Sequence, residues 1–293
     1  MRLEIVNKSK LWLGISGIVI AISLVGLLTR GLNLGIDFTG GNLIQVKFDK
    51  EVSLNELNTV LDEISKDYNQ LGHGRIVQES EENEFMIRTI ELSEEERNGI
   101  LSKIKAFSEF DLLKSEKVGA AIGEELKVNA TYALLLGSVL IVLYITLRFE
   151  FKFAIAAVVA LFHDIIISVG IIALLAYEVN TPFIAAVLTI LGYSINDTIV
   201  VFDRIREMHR KNKSAKLADI IDDSINSVMT RSINTSLTTF LAVGAMLIFG
   251  GDSLKTFMAT LLVGVIAGTY SSIFVVSPVV YLLEKKEGLK NLK

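Results

Sequence analysis

The chain has 293 residues, 51% of them hydrophobic and 21% charged, with a formal net charge of −4 and a mean hydropathy of +0.50. A soluble core has no need of apolar runs as long as those found here, so the composition points to an integral membrane protein. The absence of cysteine removes disulfides, thiol nucleophiles and cysteine metal sites from consideration.

The first apolar run, Leu11 to Thr29, exceeds the apolar core of a secretory signal and lacks a small-residue cleavage site, so it reads as a retained anchor. The segment that follows, 31–126, holds twenty acidic against ten basic side chains, while the rest of the chain is net basic. Its pattern predicts a folded α+β domain. Leu43 to Phe48 alternates like a strand. Ser53 with Glu56 forms a capping box ahead of an apolar face made by Leu54, Leu57, Val60, Leu61 and Ile64. Glu84 to Ile90 reads as another strand, and Ser93 with Glu96 repeats the capping box before Ile100, Leu101, Ile104 and Phe107. With weaker strands near Arg75 to Glu79 and Asp111 to Lys117, the order is βαββαβ, a ferredoxin-like split βαβ arrangement. The acidic clusters Glu79 to Glu84 and Glu94 to Glu96 fit a solvated face or an acidic partner-binding surface. Glycine turns at Gly35 to Gly41 and Gly119 to Gly123 serve as the domain's linkers, and a small domain on two such linkers could swing.

Five further spans are predicted at roughly Ala130 to Leu147, Phe153 to Tyr177, Phe183 to Phe202, Met229 to Phe249 and Thr256 to Leu283, each near or above the ~20 residues a bilayer requires. The fifth reaches that length only by including Arg231, Ser232, Asn234, Thr235, Ser236, Thr238 and Thr239. The expected fold is therefore a polytopic α-helical membrane protein. It has six transmembrane helices, with an extracytoplasmic α+β domain between the first and second. Its divisions are 1–30 (cytoplasmic N-terminus and first helix), 31–126 (outer domain), 127–283 (five-helix bundle) and 284–293 (tail).

Orientation follows from the basic residues. One alternating set of segments carries Arg2, Lys8 and Lys10; Arg148 and Lys152; the run from Arg204 to Lys216; and Lys285, Lys286, Lys290 and Lys293. The opposite set has only Arg30 and Lys255 close to the spans, which places both termini in the cytoplasm. The run from Arg204 to Lys216 lacks the interleaved aromatics of a nucleic-acid surface and follows a span directly, so topology and anionic lipid account for it and no nucleic acid is expected. No Gly-Lys dipeptide exists to form a phosphate loop. The three histidines, His73, His163 and His209, show no metal-ligand spacing. No cofactor, metal or enzymatic activity is expected.

The informative residues are the polar ones inside the spans. His163 and Asp164 fall near mid-bilayer in the third span, with Ser168 one turn further on. The fourth carries Tyr193, Ser194, Asn196 and Asp197. In the fifth, Arg231, Thr235 and Thr239 share one stripe beside Asn234 and Thr238. Asp197 and Arg231 lie near the same membrane face on antiparallel spans, at depths differing by about one helical turn, so they could pair. An unpaired charge at this depth costs roughly 2.5–3.5 kcal/mol even on the lenient scale. Such groups either glue helices together or move protons. A carboxylate that takes up and releases a proton as an arginine moves would act as a switch. In the sixth span Gly264 and Gly268, continued by Ser271 and Ser272, make a small-residue face for close helix packing.

Several stretches together carry a resemblance: GIDFTGG (Gly35 to Gly41), VGAAIGEEL (Val118 to Leu126), His163-Asp164, GYSINDTIVVFDRIRE (Gly192 to Glu207) and RSINTS (Arg231 to Ser236). They resemble the SecF family of protein-export membrane subunits, within the SecD/SecF group of the resistance-nodulation-division superfamily. The resemblance spans nearly the whole chain. It implies a half-transporter in a bacterial or archaeal cytoplasmic membrane. That half pairs with SecD and assists the SecYEG channel and SecA motor, with YajC as accessory. It would use proton motive force to act on exported polypeptides late in translocation. It also implies a proton relay through Asp197 and Arg231, with Asp164 and His163 beside them and Asn196, Asn234, Thr235 and Thr239 as polar support. The implied motif and hinge positions are Asp37, Gly40, Gly41, Gly119 and Gly123. Family members commonly have Pro where this chain has Ala120, which implies a softer hinge. Half of a small-molecule or lipid exporter of the same superfamily, and a non-transporting assembly factor, are the alternatives.

Overall fold

The computed structural model describes residues 3–287; Arg2 and the end of the expected basic tail, 288–293, lie outside the described residues. In chain order the elements are α1 (Ser9–Arg30), β1 (Asn33–Leu34), α2 (Ile36–Thr39), β2 (Gly41–Phe48), α3 (Leu54–Ser65), α4 (Asn69–Gly72), β3 (Ile76–Glu81), β4 (Glu84–Thr89), α5 (Glu94–Phe107) and β5 (Phe110–Val118). These lead into α6 (Ala120–Arg148), α7 (Phe151–Leu174), β6 (Glu178–Val179), α8 (Thr181–Lys211), α9 (Leu217–Phe249), α10 (Asp252–Phe274) and α11 (Val276–Glu287). Six stretches are long and apolar enough to cross a membrane: α1, α6, α7, α8, α9 and the α10–α11 pair. The chain is a polytopic membrane protein.

The chain divides into two compact units, Leu34–Thr131 and the remainder. In the first, an antiparallel sheet of order β3-β4-β2-β5 is built around β2, which pairs Ile44 with Ile87 on one side and with Ser115 on the other. Ile44, Val46, Phe48, Phe85 and Ile87 from the sheet are buried with Leu57, Leu61 and Ile64 of α3 and Ile100 and Ile104 of α5. Of the anticipated apolar faces, Phe107 alone stays largely exposed, its ring edge-on to Phe48 at 6.4 Å. Both helices open on the expected capping boxes, Ser53 with Glu56 and Ser93 with Glu96. Each reciprocal pair satisfies two backbone donors that a helix start otherwise leaves open.

The glycine linkers differ from expectation. Gly35 to Gly41 is not a plain turn, since Ile36–Thr39 winds into one helical turn that leaves Asp37 in its first turn. Gly40 and Gly41 follow with φ of +69° and +115°, a region L side chains rarely adopt. A Cβ on Gly41 would also meet Thr89 O at 2.1 Å. The second linker shrinks to Gly119 alone, because Ala120 already begins α6, at the helical position where proline is commonest. Gly123 is helical, and a Cβ there would sit 2.9 Å from Gly40 N. Gly123 therefore permits a backbone contact and is no turn. The first turns of α6 belong to the first unit, and the helix runs without a break past the expected boundary at 126.

In the membrane unit, α7 buries much of its length between Phe153 and Ala173 against its neighbours, with Val159 and Phe162 left exposed. Two close approaches set how α7 packs on α1 and α10 on α8. A Cβ on Gly170 would lie 2.7 Å from the Ser23 backbone, and one on Gly268 would lie 3.1 Å from Ser194 Cβ. Pro278 explains why the sixth span comes in two pieces. Its ring has no N–H and crowds the carbonyl four residues earlier, at Phe274, which is where α10 ends. Pro182 sits harmlessly in the first turn of α8, whose cap Asn180 accepts from the Phe183 amide at 3.2 Å. The fifth span is longer than anticipated because α9 begins at Leu217, and Leu217, Ile220, Ile221 and Ile225 form a buried face ahead of the membrane stretch. Asp222 on that face accepts from the backbone amides of Ile5 and Val6, both at 3.0 Å, and strapping the chain start to α9 buries both residues.

Gly170→Ala is expected to destabilise the detergent-solubilised protein by about 1–3 kcal/mol through overpacking against α1. Gly14→Ala, with nothing within 4 Å of the added carbon, is expected to stay within about 0.5 kcal/mol of the parent; thermal unfolding of both variants checks the contrast. The Ser53 backbone holds the Glu56 carboxyl below its ordinary value. A depressed folded value means that the cap's contribution is present above the unfolded carboxyl range and lost as pH falls through the folded value. The protection factor of the Ser53 amide, its exchange compared with that of an unstructured chain at the same pH, should fall in acid in the parent and be insensitive to that fall in Glu56→Gln.

Candidate functional site

Asp164 is the focus of the polar groups in the membrane unit. It is 1% exposed, and three donors from three helices converge on it. The neighbouring His163 Nδ1 lies 2.8 Å from Oδ1, while Ser194 Oγ of α8 and Ser271 Oγ of α10 reach Oδ2 at 2.5 and 2.8 Å. A carboxylate can be held at this depth only when its lone pairs are filled, and here three donors fill them. With Nδ1–H donating to Asp164, the other ring nitrogen, Nε2, carries a lone pair, and it is buried without a hydrogen-bond partner. The imidazole stacks on Tyr270 at 6.0 Å between centroids, and Tyr270 Oη donates to Trp12 O at 2.7 Å, tying α1 to α10.

Local sequence explains this convergence. Gly264, Gly268 and Ser271 fall on one stripe of α10. The two glycines admit Ile190 and Ser194 of α8 at contact distance, and the approach they allow brings the Ser271 hydroxyl within reach of α7. Ser271 was read from the sequence as part of a packing face, and its place on the glycine stripe was the signal for more than packing. A second hydroxyl chain lies beside it. Thr269 Oγ1 reaches Ser236 Oγ of α9 at 2.6 Å, with Tyr193 Oη of α8 at 3.5 Å from the same atom.

The remaining relay residues are arranged differently. Asp197 sits one turn beyond Ser194 on α8 and is 5% exposed, yet its Oδ2 is buried with no partner. Arg231 is exposed on α9, and among the described residues no ion pair within 4.0 Å joins it to Asp197. Asn196, Asn234 and Thr235 are exposed too, and Thr239 is half-buried with its hydroxyl turned to the Thr235 carbonyl at 3.0 Å. As support within this chain these residues do little: among the described residues, neither asparagine side chain has a hydrogen-bond partner. Within the membrane stretch of α9 the buried hydroxyls are instead Ser232 and Ser236, about 100° round the helix from the Arg231 stripe. The structure thus brings His163 and Asp164 together with two serines, buries Asp197 a turn away, and leaves a polar stripe of α9 on the surface at membrane depth.

Ser194→Ala and Ser271→Ala are each expected to cost about 1 kcal/mol, since either hydroxyl still serves Oδ2. The double variant leaves that oxygen without a donor, and a double-mutant cycle from thermal unfolding should show a coupling above about 0.5 kcal/mol.

Residues 100–286 match the family model described as protein export membrane protein SecD/SecF, C-terminal, and residues 25–52 match the SecD/SecF GG motif, which covers the Gly40–Gly41 pair. The chain is 50% identical over 287 residues to a protein translocase subunit SecF of Sebaldella termitidis, covering 97% of this chain and 93% of the relative. It is 38% identical to the Helicobacter pylori SecF, covering 92% and 83%. The crystal structure of SecDF, a translocon-associated membrane protein from Thermus thermophilus, superposes with a TM-score of 0.88 at 35% identity, over 97% of this chain and 39% of that one. A SecDF structure in a super-membrane-facing form matches at 0.71 and 36% identity, over 98% and 39%. The chain thus spans about two-fifths of the solved SecDF chains. With a family model over most of its length and a half-identical relative over nearly all of it, the chain belongs to the SecF branch of the SecD/SecF family of protein-export membrane proteins.

Proposed function

We propose that this chain is one half of a proton-driven accessory to Sec protein export. Paired with SecD in the cytoplasmic membrane, it promotes the late stage of polypeptide translocation through the SecYEG channel after SecA has begun it, with YajC as a further subunit. The observation that carries this reading is the open polar face of α8 and α9. Arg231, Asn196, Asn234 and Thr235 are exposed beside the buried, unpartnered oxygen of Asp197. In lipid such a face is costly, because an arginine within a span costs up to roughly 2.5–3.5 kcal/mol and the neighbouring unpartnered amides add to that. Against a second helical half it becomes an enclosed polar seam. The solved SecDF chains, of which this fold occupies 39%, leave room for that half.

Within the seam the two acids take different roles. Asp164 already accepts from three donors on three helices, which suits an anchor that holds α7, α8 and α10 in register, with His163 fixing its orientation. Asp197 has a free oxygen and faces the exposed arginine's side of the bundle, which suits a group that gains and loses a proton as Arg231 approaches and withdraws. Each charge that crosses 100 mV releases ~2.3 kcal/mol, enough to bias a helix rearrangement. No phosphate loop competes with this energy source.

The unit Leu34–Thr131 is read as the extracytoplasmic domain, because Lys and Arg gather at the other ends of the spans. Its βαββαβ order and β3-β4-β2-β5 sheet support the ferredoxin-like assignment. The Gly40–Gly41 pair, against Thr89 and α6, is read as a fixed brace between sheet and helix. Any swing of the domain would then pivot outside that brace.

Asp197→Asn tests the relay. In membrane vesicles holding SecD, SecYEG and SecA, the variant should assemble with SecD normally and support ATP-driven initiation. Completion of translocation should no longer respond to a proton gradient. Unchanged gradient-dependent completion would remove Asp197 from the coupling path, and loss of SecD from the purified complex would make it a structural residue.

A further inference from the structure

At the membrane face where α6 and α8 end, a cleft of about 500 Å³ is lined by Arg148, Asp203, Arg206, Glu207, Arg210 and Lys211. Four cations face two carboxylates, and the pairing is uneven. Glu207 is fully occupied, by Lys211 and Arg204 at 2.7 Å each. Asp203 is loosely shared, with Arg148 at 3.3 Å and Arg206 at 3.9 Å, well beyond the ~2.7–2.9 Å of a tight charge-assisted bond. Arg206 Nε is buried with no acceptor. Arg210 has no hydrogen bond or ion pair among the described residues.

Besides the carboxylate they share, Arg148 and Arg206 are oriented by an aromatic ring. Phe149 lies between them, its centroid 5.0 Å from Arg148 Cζ and 6.0 Å from Arg206 Cζ. That ring is itself buried edge-on against Phe202 at 5.3 Å. Oriented guanidinium donors with unmet capacity, in a cleft with two surplus positive charges, match the oxygens of a phosphate better than they match each other. The α6 and α8 C-termini face this way and oppose an anion by about half a charge each, which the surplus outweighs.

We propose that this cleft binds the phosphate of an anionic glycerophospholipid. The choice of lipid over a soluble phosphate rests on position. Arg148 is the last residue of α6, and the apolar side chains flanking it, Leu147 and Phe151, are 79% and 73% exposed. They offer a surface for acyl chains directly below a headgroup seated in the cleft. The bound lipid would supply the counter-charge that Asp203 divides between two arginines.

The test is a lipid titration of the full-length protein in neutral detergent, read by native mass spectrometry, with phosphatidylglycerol, phosphatidylcholine and inorganic phosphate as separate probes. Phosphatidylglycerol should bind in preference to the other two. Arg210→Gln, which breaks no contact within the protein, should weaken it about fivefold, and Arg206→Gln with Arg210→Gln about thirtyfold, from roughly one surface charge's attraction for each arginine. Arg206→Lys, which keeps the charge and loses the planar fork, should fall between parent and Arg206→Gln. Lys213→Gln, a cation outside the cleft, should leave affinity unchanged. Equal binding of phosphatidylcholine, an equal loss in Lys213→Gln, or inorganic phosphate binding as tightly as the lipid would each overturn the proposal.

Discussion

The membrane unit is organised around one carboxylate. Asp164 on α7 takes hydroxyl donors from α8 and α10 and a ring nitrogen from its own neighbour, so three helices must hold a fixed register for its charge to be tolerated. Apolar packing inside a bilayer gives weak discrimination between registers, because lipid tails compete on equal terms with side chains. A buried acid that is satisfied in only one arrangement supplies the missing specificity. The glycines of α10 are part of the same device, since the hydroxyl contacts exist only at the separation that Gly264 and Gly268 permit.

Around that centre the molecule is asymmetric. α7 and the α10–α11 pair are well enclosed, whereas α6 and the membrane stretch of α9 bury few of their residues. On α6 the open face is apolar, with Leu135, Leu136, Val139, Leu140 and Leu143 exposed, which lipid satisfies. On α9 it is mixed, with Arg231, Asn234 and Thr235 exposed beside Ile233, Leu237 and Leu241, and lipid does not satisfy the polar part. The two surfaces therefore ask for different neighbours, and the polar part of α9 is the one that the proposed second half would cover.

Much of this was legible in the residues. The six spans, both capping boxes and the strand pattern rest on local periodicity and chemistry, which tertiary structure had no reason to override. The small errors came from longer-range causes. A one-turn helix formed within Gly35 to Gly41, and Gly123 entered a helix because its lack of a side chain served a backbone approach from Gly40. The proximity of Asp197 and Arg231 in depth was readable, but the direction in which Arg231 points was not. Helical spacing gives a face its angle and leaves open whether this chain or another covers it. Ser271 lay in view on a stripe whose glycines explained it too easily as packing.

The strap at the start of the chain bears on how the protein is made. Ile5 and Val6 are held by Asp222, 217 and 216 residues further on, so the segment leading into α1 finds its partner only after α6, α7 and α8 have been synthesised. Until then α1 is in the membrane with its leading end unsecured, and loop closure over that span is slow as well as late. Insertion and final closure are thus separate events in this molecule. A chain cut short before Asp222 would keep α1, α6 and α7 in the membrane without the contact that buries Ile5 and Val6.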